Sequence, residues 1–119
     1  MLINVLMVGF GGALGAISRY LINEFFNLYI NQSAWAATLI INITGCFLIG
    51  LLLGSYISNK DVIFYFFVIG FLGSFTTMSA FSHQVILIAD SNIIGAVSYI
   101  MLTIILTILA TYIGASLTK

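Results

Sequence analysis

Hydrogen-bonding residues are concentrated in one stretch of an otherwise apolar chain. Between Gly70 and Gln84 the sequence holds two glycines, five hydroxyl side chains, a histidine and an amide, whereas 63–69 and 85–89 are strongly apolar. Inside a membrane, polar side chains and interrupted backbone are tolerated only where they face protein or a water-filled path. The stretch therefore predicts either an interrupted helix, whose unwound carbonyls could hold a cation, or a continuous helix that packs closely through small residues.

Two further groups of polar residues recur at the spacing of one helix turn. Thr38 and Asn42 are four residues apart and share a helix face, and Tyr99, Thr103 and Thr107 form a row of hydroxyl groups. Hydrocarbon cannot satisfy the amide of Asn42, so this side chain either joins two helices or faces a pore. The hydroxyl row is a weaker signal, because threonines in such helices often bond their own backbone.

The charged residues exclude several classes of function. Three cations and three anions give a net charge of zero: Arg19, Lys60, Lys119, Glu24, Asp61 and Asp90. Without a basic patch, nucleic-acid binding is excluded. No acidic residue lies in the middle of an apolar segment, so a proton-coupled pump lacks its usual relay group, and nothing implies the covalent chemistry of an enzyme. Hydroxyls, an amide and aromatic ring edges remain, and all of them can donate to a small anion.

Two single residues have specific interpretations. Arg19 lies towards the end of the first apolar segment, where it either anchors the helix at the headgroups or attracts anions to a water-filled vestibule. Cys46 is the only cysteine, which excludes internal disulfides and multi-cysteine metal sites. We expect it to be a buried thiol that packs as a small hydrophobic side chain.

Four apolar segments make up almost the whole chain and must position these groups. Hydrophobic residues account for 62% and charged residues for 5%, with a mean hydropathy of +1.24, whereas a soluble domain has about 25% charged residues. About 20 apolar residues suffice for a helix to cross a membrane. We predict an all-α, multi-pass protein of the cell membrane, with one domain over 1–119. Its four transmembrane helices are predicted near 2–26, 34–57, 62–89 and 93–116, with a linker over 27–33 and turns at 58–61 and 90–92.

The basic residues give only a weak preference for one orientation. Lys60 and Lys119 fall on the side of the amino terminus, and Arg19 lies towards the opposite end of the first helix. This distribution favours both termini inside. Because the bias is small, the chain could insert in both orientations, and two oppositely inserted copies can form an antiparallel dimer.

Three motifs resemble those of the Fluc (CrcB-type) fluoride channels. They are GGALGAISRY at 11–20, TLIINITG at 38–45 and GFLGSFTTMSAF at 70–81, and the resemblance spans nearly the full chain. It implies a third helix that is broken in mid-membrane and an antiparallel dual-topology dimer with two pores. It also implies passive, fluoride-selective export that reduces fluoride toxicity in the cytoplasm.

The resemblance implies roles for individual residues. The fluoride path would involve Asn42, Phe81, Met78, Ser79, Tyr99, Thr103, Thr107 and Thr38, with Arg19 at the vestibule. Backbone carbonyls near Gly73 and Thr76 would hold a structural Na⁺ at the dimer centre. The partners would be fluoride, the lipid membrane and a second subunit.

Three positions depart from the family pattern. Met78 stands where a phenylalanine is usual, Ala80 where a threonine is usual, and Gln84 where a glutamate is usual. The resemblance associates these positions with the pore. From Met78, Gln84 and the charge distribution that favours both termini inside, we hypothesise that the chain could form one half of a heterodimer with a homologous partner rather than a homodimer.

Two other classes of function are considered. A small proton-coupled multidrug exporter shares the size and the four helices, but it normally needs a glutamate inside the first helix, and Glu24 lies too near the end of that segment. A structural membrane subunit without transport would leave the polar stretch at 70–84 unexplained.

Overall fold

Helices account for nearly all of the chain that the structure describes. The computed structural model describes residues 1–30, 34–55 and 60–119. Helix α1 (Leu2–Phe25) continues in π-helical geometry over Phe26–Ile30, and α2 is Ala34–Ser55. Helix α3 is π-helical over Phe64–Leu72 and α-helical over Gly73–Phe75; α4 is Met78–Ala89 and α5 is Ile93–Thr118.

Four stretches are long and apolar enough to cross a membrane. They are Leu2–Ile30, Ala34–Gly54, Phe64–Ala89 and Ile93–Thr118. Each exceeds the length of about 20 residues that a hydrocarbon core requires, and residues 1–30, 34–55 and 60–119 contain no β-strand. The prediction of an all-helical, multi-pass membrane protein with four spanning helices is confirmed.

The first helix is longer than predicted. The sequence favoured a polar linker from Asn27 onwards, but Phe26–Ile30 continues the helix, so the prediction was wrong for residues 27–30. No glycine or proline lies between 26 and 33 to end the helix, and the ring of Tyr29 packs 5.2 Å from that of Phe25. The rest of the predicted linker, 31–33, lies outside the described residues.

Side-chain caps mark the starts of two later helices. Oδ1 of Asp61 accepts a hydrogen bond from the backbone N–H of Phe64 at 3.0 Å, and Oδ1 of Asn92 accepts one from that of Gly95 at 2.9 Å. Such bonds satisfy N–H groups that have no partner inside the helix. The predicted end of the second helix, 56–57, and the first half of the predicted turn, 58–59, lie outside the described residues.

Glycines bring the helices together in two close pairs. Helix α1 packs on α3, and α2 packs on α5. A methyl group at Gly15 would overlap the carbonyl oxygen of Phe71, and one at Gly114 would overlap that of Phe47. Small residues at these contacts let the helix backbones approach closely.

The chain leaves helical geometry at Thr76 and Thr77, between α3 and α4. The backbone is extended at both residues, with φ −76° and ψ 153° at Thr76 and φ −148° and ψ 115° at Thr77. The hydroxyl of Thr77 then accepts a hydrogen bond from the backbone N–H of Ala80 at 3.2 Å and caps α4. The third span therefore consists of two helices joined by an extended pair of residues, here called the interruption.

Candidate functional site

The amide of Asn42 pairs with the backbone of the interruption. Its Oδ1 accepts a hydrogen bond from the N–H of Thr77 at 2.8 Å, and its Nδ2 donates to the carbonyl oxygen of Thr77 at 3.2 Å. Asn42 is only 8% exposed. Since buried amides and buried backbone both need partners, each supplies what the other lacks. Asn42 thus joins two elements of the fold, which is one of the two roles that the sequence left open.

At the interruption, two backbone carbonyls lose the N–H donors that they would have in a continuous helix. In a continuous helix, the N–H groups of Thr77 and Ala80 would donate to the carbonyls of Gly73 and Thr76. Here they donate to Asn42 and to the hydroxyl of Thr77. Gly73 is exposed and Thr76 is half-buried. These two carbonyls therefore lack the N–H donors that a continuous helix would give them.

A cavity of about 210 Å³, here called the inner cavity, lies where α2, the interruption, α4 and α5 meet. Its lining consists of Asn42, Cys46, Thr76, Thr77, Met78, Phe81, Thr103 and Thr107. Five of the eight residues predicted for an ion path lie on this one cavity, although they come from three helices. Asn42 lines this cavity as well as joining two elements of the fold.

Thr103 lines the inner cavity and carries a hydroxyl without a hydrogen-bond partner in the described chain. The side chain is 7% exposed, and its Oγ1 has no hydrogen-bond partner within the described part of the chain. Thr107 differs, because its hydroxyl donates to the carbonyl oxygen of Thr103 at 2.6 Å, within the same helix. An unsatisfied buried polar group costs about 1–3 kcal/mol. Of these two threonines, only Thr103 thus has a hydroxyl that is free to donate, and its Oγ1 is itself enclosed by the protein.

A pair of aromatic rings connects the lining of the inner cavity to that of a second cavity. Phe81 lines the inner cavity, and the ring centroid of Tyr99 lies 5.2 Å from that of Phe81. We call this pair the two-ring wall. Tyr99 also lines a cavity of about 300 Å³, here called the outer cavity, with Trp35, Ile88, Asn92, Gly95, Ser98 and Leu102.

The other predicted residues lie outside the inner cavity. Ser79 shares a hydrogen bond of 3.2 Å with the hydroxyl of Thr77. Thr38 accepts a hydrogen bond of 2.8 Å from Nε2 of Gln84. Arg19 is half-buried on α1, a helix that contributes no residue to the inner cavity. The inner cavity is therefore built from α2, α4, α5 and the interruption, and Arg19 is not among its lining residues.

Two residues belong to the site although the sequence did not single them out as path residues. Thr77 pairs with Asn42, and Cys46 lines the inner cavity. Gln84, at a position that the family pattern associates with the pore, bonds to Thr38. Cys46 is half-buried rather than buried, which corrects its interpretation as a thiol enclosed among apolar side chains. Its spacing of four from Asn42 was the available signal, because it places both residues on one helix face.

The fold and the site define a class of protein: a small four-helix membrane protein with a hydrogen-bonding cavity beside an interrupted helix. Residues 6–115 match the family described as CrcB-like protein, Camphor Resistance (CrcB). The chain belongs to this family, so the family membership that its three motifs indicated is confirmed.

Bacterial relatives resemble the chain over almost its full length. A fluoride-specific ion channel FluC from Campylobacter lari is 46% identical over 115 residues, which cover 93% of each chain. One from Flavobacterium psychrophilum is 36% identical over 121 residues, covering 98% of this chain and 97% of the relative. One from Campylobacter jejuni is 41% identical over 118 residues, covering 96% of each.

Proposed function

We propose that the chain is a subunit of a fluoride-selective ion channel, through which fluoride leaves the cytoplasm passively across the cell membrane. Three of its bacterial relatives carry the name of a fluoride-specific ion channel. The inner cavity offers hydrogen-bond donors and ring edges, which suit passage of an anion without chemical change. The chain therefore acts as a channel subunit and not as an enzyme.

The single observation that carries this proposal is the hydroxyl of Thr103, which has no partner in the described chain and belongs to a side chain that lines the inner cavity, where a rotation about χ1 would present it to an ion. Fluoride is strongly hydrated, so a channel must replace its water with donors while keeping each site weak enough to release the ion. Asn42 adds a second donor, because Nδ2 carries two hydrogens and donates one of them to Thr77. Phe81 adds the positive edge of its ring.

The depth of the inner cavity follows from the position of the interruption in the third span. Helical segments of equal length, 64–75 and Met78–Ala89, lie on its two sides. A span centred in the membrane would bring Thr76 and Thr77 near mid-membrane. At that depth water is scarce, and a donor acts on an anion more strongly than it would in bulk water.

A second subunit completes the inner cavity in this proposal. Met78 lines the cavity and is 72% exposed, so the cavity reaches the surface of the single chain. Donors that faced hydrocarbon there would be costly. The weak charge bias allows insertion in both orientations, so an antiparallel dimer, of two copies or of this chain with a homologous partner, would cover the opening and form two pores.

A structural sodium ion would be held by the carbonyls of Gly73 and Thr76. These residues fit such an ion, because the N–H groups that would occupy their carbonyls in a helix are engaged elsewhere. Gly73 is exposed, where a second subunit could contribute matching carbonyls. When bound, the ion would neutralise the partial negative charge of these oxygens and stabilise the dimer.

Ion efflux from liposomes tests the proposed function. The purified chain is reconstituted alone, and the release of fluoride or chloride is followed with ion-selective electrodes without a proton gradient. We expect fluoride efflux, with chloride efflux no faster than from protein-free liposomes. Fluoride efflux that appears only after a homologous chain is added would favour the heterodimer, and none under either condition would contradict the channel.

A further inference from the structure

Two sulfur-containing side chains from separate elements line the inner cavity. Cys46 comes from the middle of α2, and Met78 is the first residue of α4. Cys46 is the only cysteine of the chain, and of its four methionines only Met78 is among the lining residues. The fold thus brings a thiol and a thioether, which are distant in sequence, to one cavity.

The chemistry of these two groups selects one class of metal ion. Thiolates and thioethers are soft ligands, and they prefer soft ions such as Cu⁺ and Ag⁺ to hard ions such as Na⁺. These soft monovalent ions accept two ligands in a nearly linear arrangement, so a pair of sulfur atoms suffices. Within residues 1–30, 34–55 and 60–119, no group of three or more His, Cys, Asp or Glu could hold a metal ion. A conventional zinc site is therefore not formed by the described residues.

Both sulfur groups have room to approach an ion in the inner cavity. Cys46 is half-buried, and Met78 is 72% exposed in the single chain. A methionine side chain is unbranched and has three rotatable bonds, so the thioether is free to turn towards the thiol. Cys46 also lines a smaller cavity of about 130 Å³ together with Gly73 and Thr76, but Met78 does not. The two sulfur groups therefore meet only in the inner cavity, on a different side of Cys46 from the proposed sodium ligands.

Binding of a monovalent ion at these two groups leaves the net charge unchanged. When the metal–sulfur bond to Cys46 forms, the thiol releases its proton to water, whereas the thioether of Met78 donates a lone pair and loses no proton. One positive charge enters and one leaves, so the occupied site is neutral. A neutral site avoids the cost of placing a charge inside the membrane.

We propose that Cys46 and Met78 form a binding site for a soft monovalent metal ion, Cu⁺ or Ag⁺, which closes the inner cavity to anions when it is bound. The ion would join α2 to the first residue of α4 and take up space beside Asn42 and Phe81, which line the same cavity. The closure rests on the proposed channel function, whereas the metal site itself does not.

Titration calorimetry of the purified full chain with silver nitrate tests the metal site. Ag⁺ is the probe because it needs no reductant, and chloride-free solutions keep it dissolved. We expect one ion to bind per chain, with the release of one proton. Cys46→Ser should abolish this binding. Met78→Leu keeps the bulk of the side chain and should weaken binding by at least the 10–100-fold, roughly, that loss of an outer-shell partner causes. Met101→Leu, at an exposed position outside the cavity lining, is the matched control and should bind Ag⁺ as the original chain does.

Fluoride efflux from liposomes tests the closure, with each protein compared with and without Ag⁺ against its own rate. The original chain and Met101→Leu should lose efflux, and Cys46→Ser and Met78→Leu should keep their own rates. Unchanged affinity in Met78→Leu would overturn the two-sulfur site, and so would binding that survives in Cys46→Ser. Efflux that continues in Ag⁺-saturated original protein would overturn the closure. If the original chain conducts no fluoride without Ag⁺, the channel function itself fails, and the calorimetry still decides whether the metal site exists.

Discussion

The two ends of the α2–α5 pair are built in opposite ways. Around Gly50 and Gly114 the helix backbones touch, and an added methyl group at Gly50 would overlap the carbonyl oxygen of Thr111. Around Asn42 and Thr103 the same two helices enclose part of the inner cavity. One pair of helices thus contains both a tight apolar contact and a polar space.

This difference shows where the protein gives up stability. The glycine end gains dispersion contacts and leaves no room for a ligand. The cavity end forgoes that packing and keeps the Thr103 hydroxyl without a partner in the described chain. We expect a ligand to compensate for the unpartnered hydroxyl and the missing packing. Substitutions at the glycine end should therefore change stability, whereas substitutions at the cavity end should also change transport.

The largest effect is expected at the amide that pairs with the interruption. Asn42→Leu would leave the N–H and the carbonyl of Thr77 without their partner, at about 1–3 kcal/mol for each buried group. We expect a lower midpoint of thermal unfolding in detergent and no measurable fluoride efflux. Ile40→Leu, at an exposed position of the same helix, is the control. A stable, conducting Asn42→Leu protein would show that the pairing is dispensable.

A somewhat smaller effect, confined to stability, is expected at the glycine end. Gly114→Ala would force its methyl group against the carbonyl oxygen of Phe47, and overpacking of this kind costs about 1–3 kcal/mol. Gly9→Ala is the matched control, because a methyl group there meets no atom within 4 Å. Thermal unfolding in detergent should separate the two variants. Equal midpoints would mean that α2 and α5 do not need this close contact.

A moderate effect on transport alone is expected at the two-ring wall. Phe81→Ile removes the ring edge from the inner cavity and keeps an apolar side chain of similar bulk. Fluoride efflux should fall while the protein stays folded and keeps its assembly state in size-exclusion chromatography. Unchanged efflux would remove Phe81 from the pathway.

Helix periodicity predicts which face a residue occupies, but not what lies opposite that face. The spacing of Thr38, Asn42 and the hydroxyl row was readable from the sequence, as were the four apolar spans. Which hydroxyl would remain unused was not readable, because Thr107 bonds its own helix and Thr103 does not. That distinction arises from local rotamers and tertiary packing.

Other features depend on contacts between residues distant in sequence. The bonds from Asn42 to Thr77 span 35 positions, and the bond from Gln84 to Thr38 spans 46. Neither pairing leaves a local pattern in the sequence. The sequence therefore shows that the Asn42 amide needs a hydrogen-bond partner inside the membrane, but it does not show which residue that partner is. The extension of α1 through residues 27–30 was missed for another reason: the polar residues that begin at Asn27 and recur at 31–33 suggested a linker, although 28–30 are apolar.

The most direct test of the central claim is fluoride efflux by Thr103→Val, measured together with thermal stability. Valine keeps the shape of threonine and removes the hydroxyl that has no partner in the described chain, so we expect stability to be unchanged or slightly higher. Efflux should fall about tenfold, the effect of one lost hydrogen bond to the ion. Thr111→Val is the control, because that hydroxyl donates to the carbonyl oxygen of Thr107 at 3.0 Å within α5. Unchanged efflux in Thr103→Val would contradict the claim that this hydroxyl serves a passing anion.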